Sequence, residues 1–213
     1  MKSNGAADYL PQRHDLKSLA AAAAGCRGCE LYRDATQTVF GRGPARARVV
    51  LVGEQPGDVE DQRGVPFVGP AGRVLQQALT SVGLTPATVY VTNAVKHFRW
   101  RVDPKGSKRR LHQTPTVGQV RACGPWLAAE LEAVKPELTV LLGATAAKAL
   151  LGSDFRLTEH RGELLESGMS GRPEPVLATI HPSAVLRAQD RDEAMAGFVA
   201  DLRVAADQLT TTG

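Results

Sequence analysis

Cysteine is scarce in this chain. Its three thiols, Cys26, Cys29 and Cys123, are an odd number, which argues against a disulfide framework. Long apolar runs are missing too, and none approaches the ~20 residues needed to span a bilayer. The opening stretch, MKSNGAADYLPQRHDL, lacks the apolar segment of a secretory signal. Internal repeats are absent, and the one low-complexity segment is a short alanine run. A membrane protein and a disulfide-stapled secreted domain are thereby excluded, and a cytosolic location is expected. No oligomerisation stripe stands out, so a monomer is expected as well.

What remains is ordinary globular material. The chain has 213 residues, 43% hydrophobic and 23% charged, enough for one domain with a sizeable core. Residues 1–14 read as a loose tail and 15–210 as the single domain. The net charge of +4 and isoelectric point near 9.1 point mildly toward nucleic acid.

Four segments, 47–53, 88–95, 137–143 and 174–181, are short, rich in Val, Leu or Ile, and apolar on both faces. That pattern marks parallel strands covered on both sides. Helical stretches alternate with them near 70–83, 116–134, 144–151 and 190–208, and DLKSLAAAAAG reads as an earlier helix capped by Asp15. The expected fold is α/β: a three-layer α/β/α sandwich with a central four-stranded parallel sheet. Ligands of such sheets bind outside the carboxyl ends of the strands. Those ends carry GEQPGD, NAVKHFRWR, GATAAKALLG and HPSAVLR. Three of the four bear residues suited to chemistry, so one pocket is expected at one sheet edge.

Each candidate has a plain chemical use. Gly53 admits close approach of a ligand to the backbone. Glu54, beside it, can position a water or offset a developing cation. Phe67 can present its ring as a stacking platform, or fill the core. The Asn93 amide can read a base edge with a carbonyl and an N–H, as uracil has; a turn asparagine is the alternative. His181 can donate to a carbonyl oxygen that gains negative charge; a structural histidine is the alternative, against which the following Pro-Ser fixes its direction.

Between residues 96 and 110 stand seven cations against one acid, Asp103, with Phe98 and Trp100 interleaved. This basic loop, about 101–115, surrounds one imidazole, His112. A solvated loop is one reading; a nucleic-acid surface is favoured by the interleaved aromatics. Cys26, Cys29 and Cys123, with His97 as the natural fourth donor, form a metal-ligand set. On spacing alone tetrahedral zinc is the commoner assignment, with an iron–sulfur cluster as the alternative.

Taken together, GEQPGD…PFVGPAG, TNAVK, LLGATAAKALLG and HPSAVLR, with the early C-x-x-C, resemble the family 4 uracil-DNA glycosylases from about residue 25 to residue 205. The resemblance implies the sandwich fold, excision of uracil from DNA, and a [4Fe–4S] cluster, normally on four cysteines. This chain departs from the pattern at His97, where a cysteine is usual, and in the inserted KGSKRRLHQ. Both departures resemble the UdgX-type branch. There a histidine ligates the cluster, and the histidine of the inserted loop bonds covalently to DNA after uracil leaves.

The resemblance implies that Gly53, Phe67, Asn93 and His181 bind uracil, and that His112, Glu54, His181 and Gln55 carry the reaction. Lys105, Lys108, Arg109, Arg110, Ser183 and Arg187 are then expected to hold DNA, and Cys26, Cys29, His97 and Cys123 the cluster. The loop cations are expected to keep His112 neutral. Single-stranded uracil-containing DNA is the expected substrate, because flipping a base from a duplex costs a few kcal/mol. Free uracil is the expected product. The protein is expected in a cytoplasm of bacterial type, with the nucleoid when on DNA. A conventional hydrolytic glycosylase and a non-catalytic metal-containing DNA-binding module are the competing readings.

Overall fold

The computed structural model describes residues 5–166 and 174–211. Helix α1 (Leu16–Ala23) starts at Asp15, whose carboxylate accepts the Ser18 N–H at 3.0 Å. Strand β1 (Val49–Gly53) leads to the short α2 (Asp58–Arg63) and to α3 (Pro70–Ser81), which has proline in its first turn. Strand β2 (Val89–Asn93) is followed by a small hairpin of β3 (Trp100–Val102) and β4 (Arg110–His112). Helix α4 (Val117–Val134) opens with a reciprocal capping box between Thr116 and Gln119. Then come β5 (Leu138–Leu142), α5 (Ala144–Leu151), α6 (Leu157–His160), β6 (Leu164–Glu166), β7 (Pro175–Thr179), α7 (Pro182–Arg187) and α8 (Arg191–Thr211).

The four apolar runs pair as parallel strands in the order β2-β1-β5-β7. The main sheet nevertheless has five strands, not four: β6 adds antiparallel to β7 at the edge. Its sequence, Leu-Leu-Glu, is too short to show a strand period, so only its pairing makes it a strand.

Side chains alternate across the sheet, and each face is covered. On one face Val49, Leu51 and Val140 pack with Leu75 and Leu79 of α3 and with Phe198 and Leu202 of α8. On the other, Val50, Val52 and Leu141 meet Leu127 and Leu131 of α4 and Leu150 of α5. Burying each such side chain contributes roughly 1.5–3 kcal/mol. The sandwich is thus held by both faces of every central strand. Among the described residues no helix is long and apolar enough to cross a membrane.

A third apolar cluster lies off the sheet, around Leu19, Cys26, Val95, Cys123 and Trp126, and includes Ala6. The stretch read as a tail thus contributes to packing. Gly5–Tyr9 form a 3-10 turn against α4, and a Cβ on Gly5 would meet the Ala122 carbonyl at 2.6 Å. Residues 1–4 of that stretch lie outside the described residues.

Candidate active site

The carboxyl ends of β1, β2 and β7 meet at one site. Gly53 ends β1 directly beside Asn93, the last residue of β2. A Cβ on Gly53 would fall 2.4 Å from Asn93 Oδ1 and 2.7 Å from Phe67 Cζ, so only glycine leaves room here. Phe67 adopts φ 56°, a left-handed backbone rarely used by aromatic residues. That strain sets its ring into the pocket, stacked toward His181 with centroids 6.4 Å apart and planes at 29°. The Asn93 residue is 3% exposed, and its amide makes no hydrogen bond to any described residue.

His181 precedes α7 and is oriented from behind. The Ser183 N–H donates to its Nδ1 at 3.1 Å, the Ser183 hydroxyl lies 2.8 Å from the same atom, and Arg187 donates to that hydroxyl at 2.9 Å. Since Nδ1 accepts, the ring proton sits on Nε2, leaving Nε2–H as a donor. Burial pushes the imidazole down to about 4, against the pull of Glu54, so the ring is neutral near pH 7. Ser183 and Arg187, expected at DNA, therefore also brace the histidine.

Glu54 joins this pocket to the hairpin. Its Oε1 lies 3.2 Å from His112 Nε2, and its other oxygen accepts the Thr145 hydroxyl. Burial pushes the carboxyl up, but the bonds from His112 and Thr145 outweigh it and hold it below the usual carboxylate range. Gln55 staples both roots of the hairpin. Its amide donates to the Arg99 and Gln113 carbonyls, both at 3.1 Å, and accepts the Arg99 N–H at 2.9 Å. The inserted segment is therefore a β-hairpin with Trp100 opposite His112.

The cations of the hairpin separate into two groups. Lys105, Lys108 and Arg109 are exposed at the tip, where Asp103 ties the turn to Lys105 N–H and Ser107. Arg110, also expected at DNA, is engaged within the protein. Its guanidinium pairs with Asp58 at 2.5 Å and Asp61 at 2.6 Å, and lies over the rings of Phe98 and Trp100 at 5.4 and 5.5 Å. These aromatics clasp an arginine, so they form no open stacking surface. The carboxylate of Glu54 is the ion-pair partner of His112. Asp58, Asp61 and Thr145 escaped sequence reasoning, although acids three apart in GDVEDQR were a signal for a cation elsewhere.

The thiols share one buried cluster in which Cys123 Sγ accepts the Lys96 N–H at 3.3 Å and Cys26 Sγ the Gly28 N–H at 3.5 Å. Burial raises Cys29, and Cys123 to about 12. His97 Nε2 lies 2.9 Å from the Thr38 hydroxyl, which itself donates to the Ala23 carbonyl. Nε2 therefore carries the proton, and Nδ1 keeps the lone pair able to ligate a metal. Among the described residues, no three His, Cys, Asp or Glu converge to hold a single metal ion. Between this cluster and Asn93, the buried Lys96 ammonium donates to Thr92 at 2.6 Å, to the Asn93 carbonyl at 2.8 Å, and to Glu130.

Comparison with known proteins fits this geometry. The chain is 37% identical over 178 residues to the type-4 uracil-DNA glycosylase of Archaeoglobus fulgidus, covering 81% of this chain and 84% of that one. It is 36% identical to that of Thermotoga maritima, covering 76% and 78%, and 33% identical to that of Pyrobaculum aerophilum, covering 81% and 85%. Residues 40–203 match the model of the uracil DNA glycosylase superfamily, and the chain belongs to that family.

Proposed function

We propose that this protein excises uracil from DNA and captures the resulting sugar on His112, leaving a covalent adduct. The observation that carries the capture is the contact of His112 Nε2 with Glu54, 3.2 Å apart, the glutamate lying next in the chain to Gly53. The excision rests on the family and on the pocket of Gly53, Phe67, Asn93 and His181.

In this reading uracil stacks on Phe67 and pairs with the free amide of Asn93. His181 Nε2–H donates to O2 as the N1–C1′ bond breaks, and the bonding electrons leave with the uracil anion. One such donor contributes roughly 2.7–4 kcal/mol in oxyanion-type sites. Ionised Glu54 offsets the cationic sugar. An imidazole nitrogen of His112 then gives its lone pair to C1′, and the ring loses its other proton to Glu54, from which it passes to solvent. The hairpin stapled by Gln55 and Arg110 supplies the proximity. Lys105, Lys108 and Arg109 face the DNA backbone. Single-stranded DNA is the favoured substrate, and the protein acts once as a monomer.

Cys26, Cys29, Cys123 and His97 Nδ1 are proposed to hold a [4Fe–4S] cluster. Each iron takes one protein ligand, so the donors need not converge as they must on zinc. Buried thiols with N–H donors beside them suit that group, which would anchor α1, α4 and the root of the hairpin. An absorbance near 400 nm in the native protein supports the cluster, and a colourless zinc protein refutes it.

Similarity to proteins named type-4 uracil-DNA glycosylase supports a second reading, a conventional hydrolytic glycosylase in which water takes the place of His112. A denaturing gel with uracil-containing single-stranded DNA separates the two. A shifted band that survives heat and detergent, and is lost in His112→Ala, supports the adduct. Free abasic product with turnover refutes it.

A further inference from the structure

On the far side of Phe67, between α3 and the edge strand β2, lies an open cavity of about 610 Å³. Phe67 walls it at one end, and Leu75, Leu79 and Val91 line it. Arg42 and Arg73 also border it, both exposed and neither with a hydrogen-bonded or ionic side-chain partner among the described residues. By contrast, Arg48, Arg110 and Arg161 all pair with carboxylates.

We propose that this groove receives the nucleotide next to the flipped uridine on one side, with its base on the apolar lining and its phosphate between Arg42 and Arg73. The inference rests on the uracil-excision reading, because Phe67 is the wall shared with the base pocket. A neighbouring nucleotide is tethered to the uridine, so a cavity directly behind that wall lies within its reach. A base offers flat apolar faces, and a guanidinium fork matches phosphate oxygens. A peptide strand fits less well. The outer edge of β2 is already closed where Arg42 and Val91 exchange backbone hydrogen bonds, both 2.8 Å, so β2 offers no free edge there for strand addition.

The test uses single-stranded oligonucleotides with one uridine, in which the base immediately 5′ or 3′ is intact or replaced by an abasic spacer. Single-turnover uracil release is measured at subsaturating protein. For the unmodified protein, a spacer on one side only is expected to slow release about tenfold. The Arg42→Glu/Arg73→Glu protein is expected to be about tenfold slower on intact DNA and indifferent to the spacer. Its binding is also expected to have a shallower salt dependence, by about 0.7 in log–log slope per lost phosphate contact. Arg42→Gln/Arg73→Gln serves if the charge reversal lowers the melting temperature. Uracil release by the unmodified protein that ignores spacers on both sides overturns the groove assignment alone, as does a double variant that keeps the spacer penalty. No release from any oligonucleotide overturns the excision reading, and this inference with it.

Discussion

Arg110→Ala tests how His112, the proposed nucleophile, is held. The Asp58 partner is 42% exposed, so that ion pair contributes at most about 1 kcal/mol. Asp61 is 0% exposed, and removing its cation is the larger loss. Stranding one member of a buried pair costs about 3–5 kcal/mol, less here because Arg110 is 18% exposed and the Thr36 N–H still reaches Asp61 at 3.0 and 3.1 Å. About 2 kcal/mol for Asp61, with about 1 for the Phe98 and Trp100 contacts, gives about 3 kcal/mol. That equals a shift of more than ~100-fold between docked and undocked hairpin. A two-stranded hairpin has little stability of its own to offset this. Rapid-quench single-turnover reactions, reading adduct and free uracil together, should show adduct formation at least tenfold slower while uracil release changes little. Free abasic product should appear in place of adduct, and Arg110→Lys should lie between. An Arg110→Ala protein that forms adduct at the unmodified rate refutes the brace. Equal loss of both steps refutes it too, because Arg110 would then act on the base pocket.

Four further outcomes are expected. Gly53→Ala puts a methyl against Asn93 and Phe67, so uracil release should fall more than ~100-fold with the melting temperature nearly kept; near-normal release refutes the pocket. Uracil release should hold between pH 7 and 5, because His181 stays neutral down to about 4 and Glu54 stays ionised; a fall centred near 6.5 refutes this. The folded His181 resists a proton that the unfolded chain takes up below 6.5, so stability should drop as pH falls from 6.5 to about 4, by up to about 3 kcal/mol, read by denaturant titration at each pH. Finally, Lys96→Met strands the fully buried Glu130 and should cost about 3–5 kcal/mol in the same titration; Lys96→Met with Glu130→Gln should recover part of it.

Much of the fold was legible in the chain. The four parallel strands and their helices follow from apolar runs whose both faces demand cover, and that demand is local and periodic. The convergence of Gly53, Glu54, Asn93 and His181 was legible for the same reason, since parallel strands place all their carboxyl ends on one edge. The edge strand β6 was not, because three residues carry no period and only the neighbour β7 makes them a strand.

Side-chain partners were the other limit. Arg110 and Lys108 look alike in KGSKRRLHQ, yet one is clasped by Asp58, Asp61, Phe98 and Trp100 and the other faces solvent. The sequence by itself determined the layers, the sheet edge that carries the pocket, and the residue types available there, because burial and periodicity act on neighbours in the chain. Only the tertiary structure decided that Glu54 meets His112, that Gln55 and Arg110 hold the hairpin, and that Thr145 reaches Glu54. Those pairings join residues far apart in the chain, and a charge or an amide does not name its partner until the fold brings them together.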